Sequence, residues 1–542
     1  MKGPARSGSY AGFEEFTRRL ASSWRWQSAA FGLVGLLAWV ALHAALVPYL
    51  VEDSYIHFRV AENLVETGNP YFNTGEAVKT SSSTPWTWLL ALLFWFSPRN
   101  LSLLAVFSAL VSAAGAAAWL VLLRSTASRK LLWWEALIAL VAYLSVVQSA
   151  SIATMETGLA LAFATAGLAA FVQRKPWAFC LLGLAAATRL EFGALLVSSA
   201  VVTLATRAMP YRACLLWALA GSMPSALFDL IQYHTLVPQA ALAKPIIHRL
   251  SWVGSFSLLL PEAILAEFYY HALVYAAYAT LYVLVATLPL LRLTWSRDTV
   301  RDPAVQVMAI AAITGLAIAV TYAAARSIIF PWYRPLYFGL LFLPALIGAI
   351  RSRKLEPYLW LAAALLPLLY DLGGSVIAAC GRPEAARHFL EGARARQTSE
   401  VAAELYREYP HATLMTSEIG AVGFGFRGRI QDGAGLASPE ALRYYPLPVP
   451  AERYDTADAP VPLRYLKDRR PGLVMAVDRH LDAVLSDPVR AEYVHVRRGL
   501  YSPSDDARRP SETLLWDSIR SLDVLIRRDL WLTRHHETSE EP

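Results

Sequence analysis

Long apolar stretches separated by short charged loops dominate the first two-thirds of the chain. Apolar spans are expected near 28–50, 101–123, 132–150, 157–172, 177–188, 191–206, 213–231, 270–291, 304–324, 335–350 and 357–373. Many approach the ~20 residues a helix needs to cross a hydrocarbon core. Beyond Cys380 the pattern changes. Short β-like runs, Ala412–Thr416 and Leu473–Val477, alternate with helical stretches such as Thr398–Tyr406. The periodicity predicts an α-helical polytopic membrane protein of about eleven transmembrane helices with a C-terminal soluble α/β domain. Its expected parts are a cytoplasmic N-terminus over 1–27, a transmembrane domain over 28–375 and an extracytoplasmic α/β domain over 376–542.

Loop charge orients the spans. Arg124, Arg129 and Lys130, Arg174 and Lys175, Arg207 and Arg212, Arg292, Arg297 and Arg301, and Arg351, Arg353 and Lys354 fall in alternate loops. Lys and Arg collect in cytoplasmic loops, so the loops between these face outward. Arg18, Arg19 and Arg25 precede the first span, which is too long for a signal-peptide core and is expected to stay as a helix. Pro85–Phe96 is apolar too, but counting it as a span would invert every later loop. With three Trp in twelve residues it reads as a helix in the outer interface, inside a first outer loop over 51–100.

Composition agrees with the pattern: 56% of the residues are hydrophobic and 17% charged, against about 25% charged in soluble proteins. The net charge of +7 is accounted for by cytoplasmic loops and does not call for nucleic acid. Cys180, Cys214 and Cys380 suggest no disulfide framework. The glycines at 420, 423, 425, 428, 433 and 435 are too irregular for a dinucleotide fingerprint and read as turn glycines. No phosphate loop or His-Glu-x-x-His run occurs, and the tail from His535 to Pro542 is polar and expected to fray.

The candidate chemistry lies on the outer side. Glu52 and Asp53 sit where the first helix leaves the membrane. Partial desolvation there suits a general base, although acids at such a position also simply face interfacial water. Lys79 and Ser81–Thr84 suit a phosphate or a sugar, or else cap a helix. Arg189 and Glu191 interrupt two spans at an outer turn, where charge is costly. Arg189 could bind a lipid phosphate bidentately, or form an ion pair with Glu191 or Asp53 that organises helices. Glu156 adds another outward acid, and His234, Lys244, Arg326 and Arg334 complete a set of outer polar and basic groups. Together they resemble an anion site beside a base. The paired acids would admit a divalent cation, but nothing requires one.

Residues 52–93, EDSYIHFRVAENLVETGNPYFNTGEAVKTSSSTPWTWLLALL, resemble the first periplasmic loop of GT-C superfamily glycosyltransferases, in particular the bacterial terminal arabinofuranosyltransferases. The likeness recurs at Met155-Glu156-Thr157, Thr188–Glu191, Pro331-Trp332-Tyr333, and from Glu418-Ile419-Gly420 to Asp432–Leu436. Departures are Glu-Asp where Asp-Asp is common, and Tyr233-His234 with Pro238-Gln239-Ala240 where the family has Tyr-Gly and Pro-Asn-Thr. The resemblance implies a polyprenyl-phosphate-linked sugar donor, best matched to arabinofuranose, and a glycan or protein acceptor. It also implies an outer-leaflet cavity of a bacterial inner-membrane enzyme. It carries the exit-motif carboxylate onto Asp53 beside Glu52, and donor contacts onto Lys79, Arg189 and Lys244. The alternative is a flippase for lipid-linked saccharides, which would use the same basic patch without a base.

Overall fold

The computed structural model describes residues 32–248, 255, 259–261, 264, 272–293, 296–326, 328–352, 355–382, 387–447, 460–500 and 521–537. The expectations for residues 1–27 and for the tail beyond 537 therefore lie outside the described residues. Each expected span coincides with a helix. These are α1 (Gly32–Tyr49), α4 (Leu101–Thr126), α5 (Trp133–Ile152), α6 (Thr157–Val172), α7 (Ala178–Thr188), α8 (Gly193–Thr206) and α9 (Tyr211–Tyr233). The others are α11 (Ala272–Leu291), α13 (Pro303–Ala324), α14 (Pro335–Ser352) and α15 (Leu355–Ala379). Eight are long and apolar enough to cross a membrane by length and composition, while α6, α7 and α8 are shorter. The chain is a multi-pass membrane protein. α15 continues to Ala379, past the boundary expected at 375.

Small residues let these helices approach. A Cβ on Gly221 of α9 would lie 2.1 Å from the carbonyl oxygen of Cys180 in α7, so only glycine permits this crossing. Outward faces stay apolar: Leu215, Leu216, Trp217 and Ile231 of α9 are all exposed, as a lipid-facing surface requires.

Between α1 and α4 lie α2 (Glu52–Thr67) and α3 (Thr84–Phe96). α2 begins with its two acids, which also suit the positive N-terminal end of a helix. Ser83 caps α3 by accepting the Trp86 N–H. α3 buries Trp86, Leu90 and Phe94 beside Phe58 of α2 and Leu104 of α4, and exposes Trp95 and Phe96 at its far end. α10 (Gln239–Ile247) follows α9, and a short helix, α12 (Arg297–Arg301), precedes α13.

The C-terminal region carries α16 (Arg387–Glu408), α17 (Ile419–Gly425) and a five-stranded sheet in the order β2-β1-β3-β5-β4. The strands are β1 (Leu414–Thr416), β2 (Ile430–Asp432), β3 (Leu473–Val477), β4 (Tyr493–Gly499) and β5 (Ser521–Arg527). β2, β1 and β3 run parallel, whereas β5 is antiparallel to both β3 and β4. Burial on both faces, as in the uniformly buried β3, fits the near-continuous apolar sequence Leu473–Val477.

This sheet docks directly on the first loop. Ile56, Val60 and Phe72 join the core that also holds Leu414, Ile430, Met475 and Val524. Arg59 donates to the carbonyls of Phe72 (2.7 Å), Phe426 (2.7 Å), Gly428 (2.7 Å) and Gly423. Asn73 pairs with both backbone groups of Ile430, and Glu76 meets Arg429 at 2.6 Å. The turn Phe72-Asn73-Thr74-Gly75-Glu76 thus has a mechanical role: it extends the hydrogen bonding of β2. The glycines expected in turns at 420, 423 and 425 lie in α17 instead. A Cβ on Gly420 would sit 2.0 Å from the carbonyl oxygen of Glu52, so glycine is what brings α17 onto the start of α2.

Candidate active site

Glu52, Asp53 and Lys244 line one cleft of about 950 Å³, its open mouth included. Membrane-domain residues Phe330 and Trp332 form one wall. Glu391 and Arg394 of α16, and Ser417, Glu418, Leu436 and His480 of the sheet region, form the other. The cleft lies where the membrane helices meet the C-terminal region.

Lys244 is fixed there by three neighbours. Its Nζ is 3.5 Å from Asp53 Oδ2, donates to the Tyr333 hydroxyl at 2.8 Å, and stands 4.5 Å from the Phe330 ring centroid. Burial works against the ammonium charge, but Asp53 and Tyr333 outweigh it and hold Lys244 above the ordinary lysine range. Lys244 therefore stays cationic at any physiological pH. Its contact with Asp53 is long for a charge-assisted hydrogen bond, which leaves the pair easy to separate.

Glu52 is in a different state. Burial, then the charges of Asp53, Glu418 and Glu391, push its carboxyl well above the usual carboxylate range. Its Oε1 accepts the Gly420 N–H, the first hydrogen bond between α2 and α17. The two adjacent acids thus make separate contacts: Glu52 joins α2 to α17, and Asp53 stands beside the Lys244 cation.

Arg189 stands one layer behind. Its guanidinium lies 4.6 Å from the centroid of the Tyr333 ring, whose hydroxyl accepts from Lys244, so Tyr333 touches both cations. It is bound to Glu156 at 2.6 Å and to Glu191 at 2.5 Å, and Tyr322 donates to Glu191 at 2.5 Å. Glu156 also receives the Ser82 hydroxyl at 2.6 Å and meets His57 Nε2 at 3.3 Å. Burial opposes ionisation of Glu156, but His57 and Arg189 prevail and keep it below the usual range. The Arg189–Glu191 pair weighed from sequence is present, and Glu156 rather than Asp53 completes it.

The remaining expected residues lie elsewhere. Lys79 is 2.5 Å from Asp229 of α9 and 2.9 Å from the Leu236 carbonyl. His234 is exposed in the left-handed C-cap of α9, with φ 56°. Arg326 is exposed at the end of α13, and Arg334 is buried at the start of α14. Sequence reasoning missed Glu391, Arg394, Ser417, Glu418 as a lining residue, and His480. Only the position of Glu418 within a resembling stretch could have signalled them. Among the described residues, no group of three His, Cys, Asp or Glu side chains is arranged to hold a metal.

No protein-family model matches this sequence, and no curated protein does. Solved structures are similar over nearly the whole chain. The crystal structure of ArnT from Cupriavidus metallidurans bound to undecaprenyl phosphate shares 13% identity at a TM-score of 0.51, over 93% of this chain and 98% of that one. The apo state of the same protein gives 15% identity and a TM-score of 0.51, over 92% and 98%. At such low identity the likeness concerns the path of the backbone, and this chain shares the fold of that protein.

Proposed function

We propose that this protein is a membrane glycosyltransferase that moves a sugar, best matched to arabinofuranose, from a polyprenyl-phosphate donor to an extracytoplasmic glycan or protein. Asp53 is the base. The observation that carries this reading is the joint position of Asp53 and Lys244 in one cleft beside membrane helices. The similarity to ArnT, whose structure holds undecaprenyl phosphate, supports a lipid-phosphate donor. In this reading the enzyme lies in a bacterial inner membrane with residues 28–375 as its catalytic domain. The cleft and the domain over 376–542 face the periplasm.

The acceptor oxygen attacks the anomeric carbon while the bond from that carbon to the phosphate oxygen breaks. The bonding pair leaves on the phosphate, and the hydroxyl proton passes to Asp53. Lys244 serves both states. At rest it neutralises Asp53; when donor phosphate arrives, the ammonium turns to it and frees the carboxylate to take the proton. Arg189 acts through Tyr333, as a positioning residue that keeps Lys244 aimed into the cleft. Placing charge where it develops in this way accounts for most of the acceleration expected of such a site.

Asp53→Asn tests the mechanism in the purified full-length protein with a polyprenyl-phosphate sugar. Loss of a general base lowers the rate by about a hundredfold or more. Transfer at the wild-type rate would remove Asp53 from the chemistry.

A further inference from the structure

The C-terminal wall of the cleft has an order that the sheet topology explains. β2, β1 and β3 are adjacent and parallel, so their carboxyl ends point the same way. Every sheet-region residue lining the cleft outside α17 lies at or just past one of those ends. Ser417 and Glu418 follow β1, Ala434 and Leu436 follow β2, and Val477 and His480 stand at or after the end of β3. In open α/β sheets, ligands bind in the crevice beyond the carboxyl ends of parallel strands. Here that crevice opens toward Asp53.

The loop after β2 is built rather than slack. Asp432 Oδ1 accepts the Ala434 N–H and Oδ2 the Ala437 N–H, each at 2.7 Å, and Ser438 Oγ accepts the Asp432 N–H at 3.0 Å. Beside it, Ser417 is 6% exposed, and its hydroxyl has no hydrogen-bond partner among the described residues. A buried hydroxyl left without a partner is costly, and a ligand that supplies one removes the cost. Trp332, on the facing wall, is 2% exposed and stacks on Phe330 with ring centroids 4.7 Å apart. Its indole N–H also lacks a partner among the described residues.

Carboxylates, a hydroxyl and flat aromatic surface in one crevice match the two faces of a sugar: hydroxyls that donate and C–H edges that pack on rings. An extended peptide would instead add to a sheet edge through its backbone. At β2 that edge is occupied, because Asn73 takes both the N–H and the carbonyl of Ile430. We propose that the carboxyl edge of β1, β2 and β3 is the acceptor subsite of this cleft, and that it takes the hydroxyl-bearing terminus of a saccharide through Ser417 and Glu418. The inference rests on the transferase reading and deepens it by choosing glycan over protein.

Binding measurements on the full-length protein separate the two. The probes are a short arabinofuranose oligosaccharide, a Ser/Thr-rich peptide and undecaprenyl phosphate. Ser417→Ala removes a hydroxyl that holds nothing together in the fold, so the variant is expected to melt like the wild type. Its dissociation constant for the oligosaccharide rises about three- to tenfold, as for one neutral hydrogen bond, and Glu418→Gln raises it about tenfold or more. Undecaprenyl phosphate binding stays within about twofold for both. Equal oligosaccharide binding by wild type and variants overturns the subsite, as does no oligosaccharide binding at all or a response only to the peptide. Failure of undecaprenyl phosphate to bind the wild type instead removes the donor reading, whatever the oligosaccharide does.

Discussion

Lys79 and Lys244 each stand next to an aspartate, yet their surroundings differ. Lys79 is closed: Asp229 holds it at 2.5 Å, the Leu236 carbonyl at 2.9 Å, and the second Asp229 oxygen is used by Thr84 at 2.5 Å. Lys244 is open: its aspartate is 3.5 Å away, its firm partner is a neutral hydroxyl, and it lines a cleft. A cation already saturated by a close carboxylate must give up that partner before it can bind a phosphate. One held by a long contact need only turn. Position in sequence put these two lysines in the same class, and partner geometry divides them into one saturated by its carboxylate and one with a long carboxylate contact beside the cleft.

The largest expected effect breaks the saturated pair. Lys79→Met leaves Asp229 buried without its cation, and removing one partner of a buried ion pair costs about 3–5 kcal/mol. Unfolding of the full chain in detergent, followed by heat or denaturant, should show a loss of this size. A variant with wild-type stability and weakened donor binding would reverse the comparison and make Lys79 the phosphate ligand.

The next effect falls on the other lysine. Lys244→Gln keeps a donor for Tyr333 and leaves Asp53 at the mouth of the cleft, where water can reach it, so stability changes little. Charge-assisted hydrogen bonds contribute about 1.5–3 kcal/mol, so donor affinity should fall about tenfold to a hundredfold. Titration with undecaprenyl phosphate measures this directly. Unchanged affinity would leave the cleft with no assigned phosphate ligand.

The division between the lysines also marks what was legible in the sequence. Among the described residues, hydrophobic runs marked all eight helices long and apolar enough to cross a membrane, because span length is dictated by the bilayer itself. The acid pair was legible because it adjoins the first span, and chain proximity there is spatial proximity. Lys79 and Lys244 could not be told apart, since Asp229 lies inside an apolar helix 150 residues from Lys79. Arg59 went unnoticed for a related reason. It looks like a surface residue of an amphipathic helix, yet its guanidinium binds carbonyls more than 360 residues away. Gly420 read as a turn residue because sequence does not show that a neighbouring backbone comes within 2.0 Å of its missing side chain.

The smallest effect concerns Glu52, which separates the working cleft from the docked domain. Its folded pKa lies above the ordinary 4.5, first because of burial and then because Asp53, Glu418 and Glu391 surround it with negative charge. The folded state thus binds more protons than the unfolded state between those values. Stability contributed by this group is present below the ordinary value and is lost as pH rises through the folded one. Ionised Glu52 still accepts from Gly420, but it adds a charge to three carboxylates. Glu52→Gln keeps the acceptor and removes the titration. Melting of the variant should therefore vary less with pH from 5 upward than that of the wild type, and the two curves should draw together toward acid. A wild type whose stability rises over that range, with the glutamine variant parallel to it, would mean that Glu52 is already ionised in the fold. Asp53 would then share the cleft with a second full negative charge that Lys244 alone must balance.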